Sequence, residues 1–254
     1  MLSFSLPTVF LNKTILITGA NRGIGRVTAE AFAKVGACLI VHSRSPTPAF
    51  ADDMLDLATR YNVTIERVAF DMTDTAAMKA EINATLPPKR QIDVLVNNAG
   101  VAHGGLFQMT PLTDVRSVFD VNFFAQLELT QLIIRRMSRQ KSGAIVNIGS
   151  IAGLELASGN VAYGVSKAAL MAFTQTLASE VGHLGVRVNA VAPGLVDTEM
   201  ANQMEKKAGA EMIQNSAMKR LATAEEIAQV VLFLSSDAAS FVNGQVIPVN
   251  GGRA

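Results

Sequence analysis

Short, continuous apolar runs alternate with helical patterns along nearly the whole chain, and this alternation constrains the fold more than any other feature. The runs are Thr14–Thr18, Leu39–Val41, Ile65–Phe70, Val94–Val96, Ala144–Ile148, Val186–Val191 and Val246–Val249. Most are apolar at successive positions rather than at every second one, which is the signature of a strand covered on both faces. Helical spacing fills most of the intervals; after the first run, for example, Ile24, Val27, Ala31, Phe32 and Val35 share one helix face. Strand and helix in alternation imply right-handed crossovers, hence an open parallel sheet with helices on both sides. One helix start is explicit, because Thr223-Ala224-Glu225-Glu226 forms a capping box ahead of Ile227, Val230, Val231 and Leu234. No low-complexity linker, hinge or repeat divides the 254 residues. The expectation is one doubly wound α/β domain, residues 1–254, with a seven-stranded parallel sheet.

Composition removes several functional classes. The formal net charge of +1 supplies no broad field for nucleic acid or an anionic membrane. No apolar stretch approaches the ~20 residues that a membrane helix requires. The N-terminal segment MLSFSLPTVFLNK has no basic residue before Lys13 and no long apolar core, so it does not read as a leader. The single cysteine, Cys38, excludes an internal disulfide and suggests a reducing compartment. A cytoplasmic location is expected, or an organelle matrix if a leader has been removed. Cys38 itself, in Cys38-Leu39-Ile40-Val41, reads as a buried inert thiol. Nothing in the pattern calls for a metal.

Thr18-Gly19-Ala20-Asn21-Arg22-Gly23-Ile24-Gly25 lies where the first strand turns into the first helix. Glycines there allow the backbone to approach a pyrophosphate at the positive end of a helix, the Rossmann-type arrangement. The second strand ends Val41-His42-Ser43-Arg44, with no carboxylate to take a ribose 2′-hydroxyl. Arg44, with Arg22 inside the glycine turn, provides two guanidiniums that suit the 2′-phosphate of NADP(H). Solvated surface arginines are the alternative.

Ser150 ends the run Ile145–Gly149, at the carboxyl edge where open α/β sheets bind ligands. Tyr163 follows thirteen residues later and Lys167 four after that, one helical turn apart on one face. An ammonium beside a phenol stabilises the phenolate, which is what a tyrosine needs to exchange a proton with a substrate oxygen. A serine hydroxyl can hold the same oxygen.

With these residues in place, the chain resembles the short-chain dehydrogenase/reductase family from about Lys13 to Gly252. The glycine turn fits the family's T-G-x-x-x-G-x-G form, and Asn97-Asn98-Ala99-Gly100 its N-N-A-G signature. Asp71 matches the acidic residue that holds the adenine, with Met72 beside it. Asn122 matches the helix asparagine that completes a tetrad with Ser150, Tyr163 and Lys167. Pro193-Gly194, with Val196 and Thr198, matches the turn that holds the nicotinamide carboxamide. The resemblance implies hydride transfer between nicotinamide C4 and a carbonyl carbon, with Tyr163 giving or taking the proton. It further implies that Lys167 binds the ribose hydroxyls and depresses the Tyr163 pKa, and that Asn122 positions a relay water. Cofactor contacts are implied for Gly19, Asn21, Arg22, Gly23, Ile24, Gly25, Ser43, Arg44, Asp71, Met72, Asn98, Ala99, Gly100, Tyr163, Lys167, Pro193, Gly194, Val196 and Thr198.

Within the family, the signatures around the cofactor look most like the 3-oxoacyl-(acyl-carrier-protein) reductases of fatty-acid synthesis. An acyl carrier protein is then an expected partner. Two features depart from that pattern. Leu184 stands before Gly185, where a basic carrier-facing residue is common, and Leu154-Glu155-Leu156 brings a carboxylate into the substrate-side loop. The other carrier-facing position falls near Lys141, among Arg135, Arg136 and Arg139, although a solvated helix end would look the same. His103 could touch substrate or simply shape the Gly104-Gly105 loop. Residues 195–220, with Met200, Met204, Met212 and Met218, could form a lid or an ordinary surface helix. An NADPH-dependent reductase of free ketones, quinones or sugars is the main alternative; a dinucleotide sensor without turnover is the other. The resemblance also implies a homotetramer, with helices near Thr113–Met137 and Tyr163–Val181 pairing across one axis and the last strand near another.

Overall fold

A computed structural model describes residues 10–155, 157–198 and 213–252. Seven strands form one sheet: β1 (Thr14–Ile17), β2 (Cys38–Ser43), β3 (Ile65–Ala69), β4 (Val94–Asn97), β5 (Gly143–Ile148), β6 (Val186–Pro193) and β7 (Val246–Val249). Their order is β3-β2-β1-β4-β5-β6-β7, and every pairing is parallel. The strands fall where the continuous apolar runs place them. Those runs are continuous because Ile15, Leu16 and Ile17 have no exposed surface on either face.

The two faces carry separate cores. On one face, Ile15, Ile17, Leu39, Val41, Val94 and Val96 pack with helices α1 (Gly23–Lys34) and α2 (Pro48–Tyr61) and with a late helix, Ala224–Ser235. On the other, Leu16, Ile40, Leu95 and Ile145 pack with α3 (Thr75–Thr85), α5 (Ala125–Gln140) and α7 (Val161–Val181). Helix α4 (Leu112–Phe119) and the short α6 (Ala152–Glu155) lie at the carboxyl edge, and the late helix is α8. The α8 start has the capping box in full, with Thr223 accepting from Glu226 N and the Glu226 carboxylate accepting from Thr223 N.

Three local features depart from the sequence reading. α4 and α5 form one helical run joined by a π-helical turn at Asp120–Phe124, with Asn122 inside it. β6 continues to Pro193, two residues past the apolar run. Cys38, at the start of β2, is half-buried rather than fully enclosed. Of the suggested lid, Val196 bridges in parallel to Ala222 and Ser216 donates to Gly251 O. Met200, Met204, Met212 and also Leu156 lie outside the described residues. Among the described residues, no helix is long and apolar enough to cross a membrane.

Candidate active site

β1 pairs with β2 on one side and β4 on the other, so chain direction across the sheet reverses there and leaves a crevice at the carboxyl edge. The glycine turn fills that crevice and is held from two sides. Thr18 Oγ1 accepts from Asn98 N and Ala99 N, both at 2.9 Å. Asn98 Nδ2 donates back to Thr18 O at 2.9 Å and Gly19 O at 3.0 Å. From the β2 side, His42 O accepts from Ala20 N at 2.8 Å, and His42 Nδ1 accepts from Gly19 N at 3.2 Å. Two glycines are required by this packing. Gly19 has φ +64°, and a Cβ there would sit 3.0 Å from Ala99 Cα; a Cβ on Gly25 would lie 2.2 Å from Gly19 O.

The turn therefore delivers the start of α1 to the crevice. Arg22 is its N-cap, makes no side-chain cap and is followed by no acidic residue in the first turn. An N-terminus of that kind leaves its amides and positive dipole end facing a ligand, which fits an anionic pyrophosphate. One further part of the expected dinucleotide seat meets it. Thr198 Cγ2 lies 3.6 Å from where a Gly23 Cβ would be, so the Pro193–Thr198 turn meets the glycine turn. Gly194 N donates to Val249 O and Ile151 N to Pro193 O, which tie that turn to β7 and to the loop after Ser150. Asn21, Arg22 and Arg44 are exposed, whereas Ser43 is buried and Met72 is buried beneath the β3 end. Asp71 is exposed; Thr73 Oγ1 and N donate to its Oδ1 and hold its carboxyl below the usual range, with Arg44 adding to the pull. No carboxylate follows β2. The residues present thus fit a nicotinamide dinucleotide.

The tetrad residues also converge. α7 starts at Val161, so Tyr163 lies in its first turn and Lys167 one turn later. Lys167 is 4% exposed, its Nζ donates to Ile148 O at 2.8 Å, and burial pulls its pKa down to about 8. Burial pushes the Tyr163 phenol above its ordinary value, opposed by a hydrogen bond with Ser150. The expected depression of Tyr163 by Lys167 is therefore not what the protein's own groups produce; they keep the phenol protonated at neutral pH. Ser150 Oγ also accepts from Ala152 N at 3.2 Å.

Asn122 is fully buried: its Oδ1 accepts from Val101 N at 2.8 Å, and its Nδ2 donates to Val101 O and to Ser166 Oγ. Ser166 Oγ in turn donates to Tyr163 O at 2.7 Å, so Asn122 braces the first turn of α7. A Cβ on Gly100 would lie 3.1 Å from Asn122 Oδ1 and 3.3 Å from Lys167 Nζ, which puts the three residues around one point.

Sequence reasoning missed a buried polar ladder beneath the site. Asn97 Nδ2 donates to Thr130 Oγ1 and Asn147 Oδ1, and Asn147 Nδ2 donates to Thr174 Oγ1, which links α5, β4, β5 and α7. The available signal was a polar residue inside an apolar run, as at Asn147 between Val146 and Ile148, and at His42 after Val41. On the substrate side, Gly105 N donates to Gly159 O and joins the His103 loop to the loop before α7. His103 is half-buried and Leu154 exposed. Arg136 donates to Asn83 Oδ1 and Pro87 O, so part of the basic cluster at the end of α5 binds its own protein. Among the described residues, no cluster of His, Cys, Asp or Glu could hold a metal.

Residues 19–254 match a family model described as enoyl-(acyl carrier protein) reductase. A 3-oxoacyl-(acyl-carrier-protein) reductase of Thermotoga maritima is 35% identical over 240 residues, covering 94% of this chain and 97% of the relative. A solved 3-oxoacyl-(acyl-carrier-protein) reductase of Brucella melitensis superposes with a TM-score of 0.85 at 32% identity, covering 97% of this chain and 93% of that one. A solved levodione reductase superposes with a TM-score of 0.89 at 30% identity, covering 95% of this chain and 97% of that one.

Proposed function

The chain belongs to the short-chain dehydrogenase/reductase family and is an NAD(P)-dependent oxidoreductase acting on CH–OH/C=O groups, and on that premise we propose that it uses NADPH to reduce a 3-oxoacyl group, carried as a thioester on acyl carrier protein, to the 3-hydroxyacyl alcohol. The observation that carries this reading is the Tyr163 phenol hydrogen-bonded to Ser150 in the first turn of α7, with the buried Lys167 one turn on. The bound nicotinamide supplies the hydride. Tyr163 donates its hydroxyl proton to the carbonyl oxygen as negative charge develops there. Ser150 Oγ hydrogen-bonds to the same oxygen and fixes its position. Lys167 holds the ribose hydroxyls and its cation favours the tyrosinate left behind. Asn122 keeps Val101 and Ser166, and through Ser166 the first turn of α7, in register with that chemistry.

Gly19, Asn21, Arg22, Gly23, Ile24 and Gly25 would seat the pyrophosphate, and Asn98, Ala99 and Gly100 the adjoining ribose. Asp71 and Met72 would border the adenine, while Pro193, Gly194, Val196 and Thr198 would take the carboxamide. The preference for NADPH rests on Ser43 and Arg44 at the end of β2, with Arg22 in the glycine turn. The fatty-acid substrate rests on the likeness to the Thermotoga and Brucella proteins.

A reductase of free ketones is the second reading, favoured by Leu184 before Gly185 and by the likeness to levodione reductase. Comparing kcat/KM for an acyl-carrier thioester with that for a free diketone separates the two. At least a tenfold preference for the carrier-bound substrate supports the first reading, and the reverse preference supports the second. We also propose a homotetramer, because Phe124, Val161 and Val165 on the α5–α7 side are 52%, 39% and 44% exposed in the single chain. Light scattering that returns a monomer would remove that proposal.

A further inference from the structure

His42 is the penultimate residue of β2, yet it is only 1% exposed, and with Ser43 it is a buried polar residue in a strand that otherwise packs against both cores. Both ring nitrogens are engaged. Nδ1 accepts the Gly19 N–H at 3.2 Å, and Nε2 lies 2.9 Å from Phe70 O, an atom that can only accept. Together these contacts admit one form of the ring, the neutral tautomer with its proton on Nε2. The imidazole also lies on the Phe70 ring, with centroids 4.2 Å apart. Its backbone carbonyl takes the next amide of the turn, Ala20 N. Gly19 needs this support, since it sits at φ +64° where β1 ends and the chain swings towards the N-terminus of α1. The His42 ring thus joins the end of β3, the end of β2 and the first residue of the glycine turn.

We propose that His42 is a positioning residue for the dinucleotide: through the Gly19 N–H it holds the glycine turn in its binding conformation and so sets cofactor affinity without touching the cofactor. The inference rests on the reading of that turn as the pyrophosphate seat. The contacts also say which atoms matter. Nδ1, through Gly19, bears on the turn; Nε2, through Phe70, anchors the ring to β3. Asparagine places its Oδ1 where Nδ1 stands and can keep the Gly19 bond while losing the Phe70 one. Glutamine places its amide nitrogen near Nε2 and does the reverse. Phenylalanine keeps the ring and loses both.

The experiment is NADPH titration, followed by cofactor fluorescence, of the wild-type protein and the His42→Asn, His42→Gln, His42→Phe and Arg44→Asp variants. Thermal melts confirm that each variant is folded. Positioning through Gly19 predicts an NADPH Kd within about threefold of wild type for His42→Asn, and a Kd raised roughly tenfold or more for His42→Gln and His42→Phe, the scale of one buried amide left unsatisfied. Turnover at saturating NADPH should stay within about twofold for all three. If asparagine is as damaging as glutamine, or if none of the three alters the Kd, the proposal is overturned. Should the phenylalanine variant not fold, the asparagine–glutamine contrast decides by itself. Arg44→Asp separates the two levels of the argument. If it weakens NADPH while the His42 variants bind normally, only the role of His42 falls. If neither it nor any His42 variant alters the NADPH Kd, the siting of the cofactor at this edge falls as well.

Discussion

Replacing Lys167 with methionine should abolish turnover and yet leave the cofactor-free protein as stable as the wild type or more so. Lys167 is 4% exposed, and burial pulls its pKa from 10.5 to about 8. At 1.36 kcal/mol per unit, the folded state bears a penalty of about 3 kcal/mol for keeping this ammonium charged at neutral pH. Methionine removes the charge at similar volume but leaves Ile148 O without its 2.8 Å donor, a loss of about 1–3 kcal/mol. The difference is a gain of about 1 kcal/mol, or roughly 2–4 °C in Tm for a chain of this size. The pH dependence gives a sharper test. The wild-type lysine has a lowered folded pKa, so between about 8 and 10.5 the unfolded chain holds a proton that the folded protein has shed. Wild-type stability therefore rises with pH through that window, whereas the variant has no such gain. Its advantage should be full at pH 7 and about 1 kcal/mol smaller at pH 9. Urea unfolding without cofactor, at matched protein concentrations and both pH values, measures the gap. A variant more than 1 kcal/mol less stable at pH 7, with a gap independent of pH, would refute the reasoning.

Two further outcomes follow from the charged and titratable groups at the end of β2. Arg44→Asp should raise the Kd for NADPH by at least tenfold and leave that for NADH within about threefold; equal losses would mean that Arg44 never meets a 2′-phosphate. Burial lowers the pKa of His42, with the Phe70 carbonyl and Asp71 opposing, so its contribution to stability is complete above the unfolded value near ~6.5 and is lost as pH falls below it. His42→Asn should flatten that acid limb in a stability profile from pH 7 to 5, and an unchanged limb would show that His42 does not set it.

The legible parts of the fold are those where one residue type answers to one physical demand. Ile15–Ile17 and Val94–Val96 read as strands because both faces are covered, and Thr223–Glu226 reads as a helix start because the cap needs those side chains. Ser150, Tyr163 and Lys167 could be singled out because proton exchange with a substrate oxygen restricts the residue types that serve it, whereas Asn122 came only through the family resemblance. The π-helical turn at Asp120–Phe124 left no trace, since widening a helix by one residue has no side-chain signature. Its consequence, Asn122 bonded through both ends of its amide to Val101, was equally hidden. His42 was written into the β2 end but read only as the absence of a carboxylate; its tie to Gly19 depends on the register of β2 against β1, which spacing alone does not supply. The direction of the Tyr163 shift was also beyond reach, because it depends on how deeply the phenol is desolvated rather than on which cation follows it in the helix.

The central claim is NADPH-dependent carbonyl reduction with Tyr163 as the acid. Following the absorbance of reduced cofactor with a 3-oxoacyl thioester, for the wild-type and Tyr163→Phe proteins and for NADPH against NADH, tests it most directly. The account predicts rapid consumption of NADPH by the wild type, little with NADH, and a fall of at least a thousandfold in turnover on loss of the phenol while NADPH still binds. Turnover that survives Tyr163→Phe, or oxidation of NADH in preference to NADPH, would contradict it.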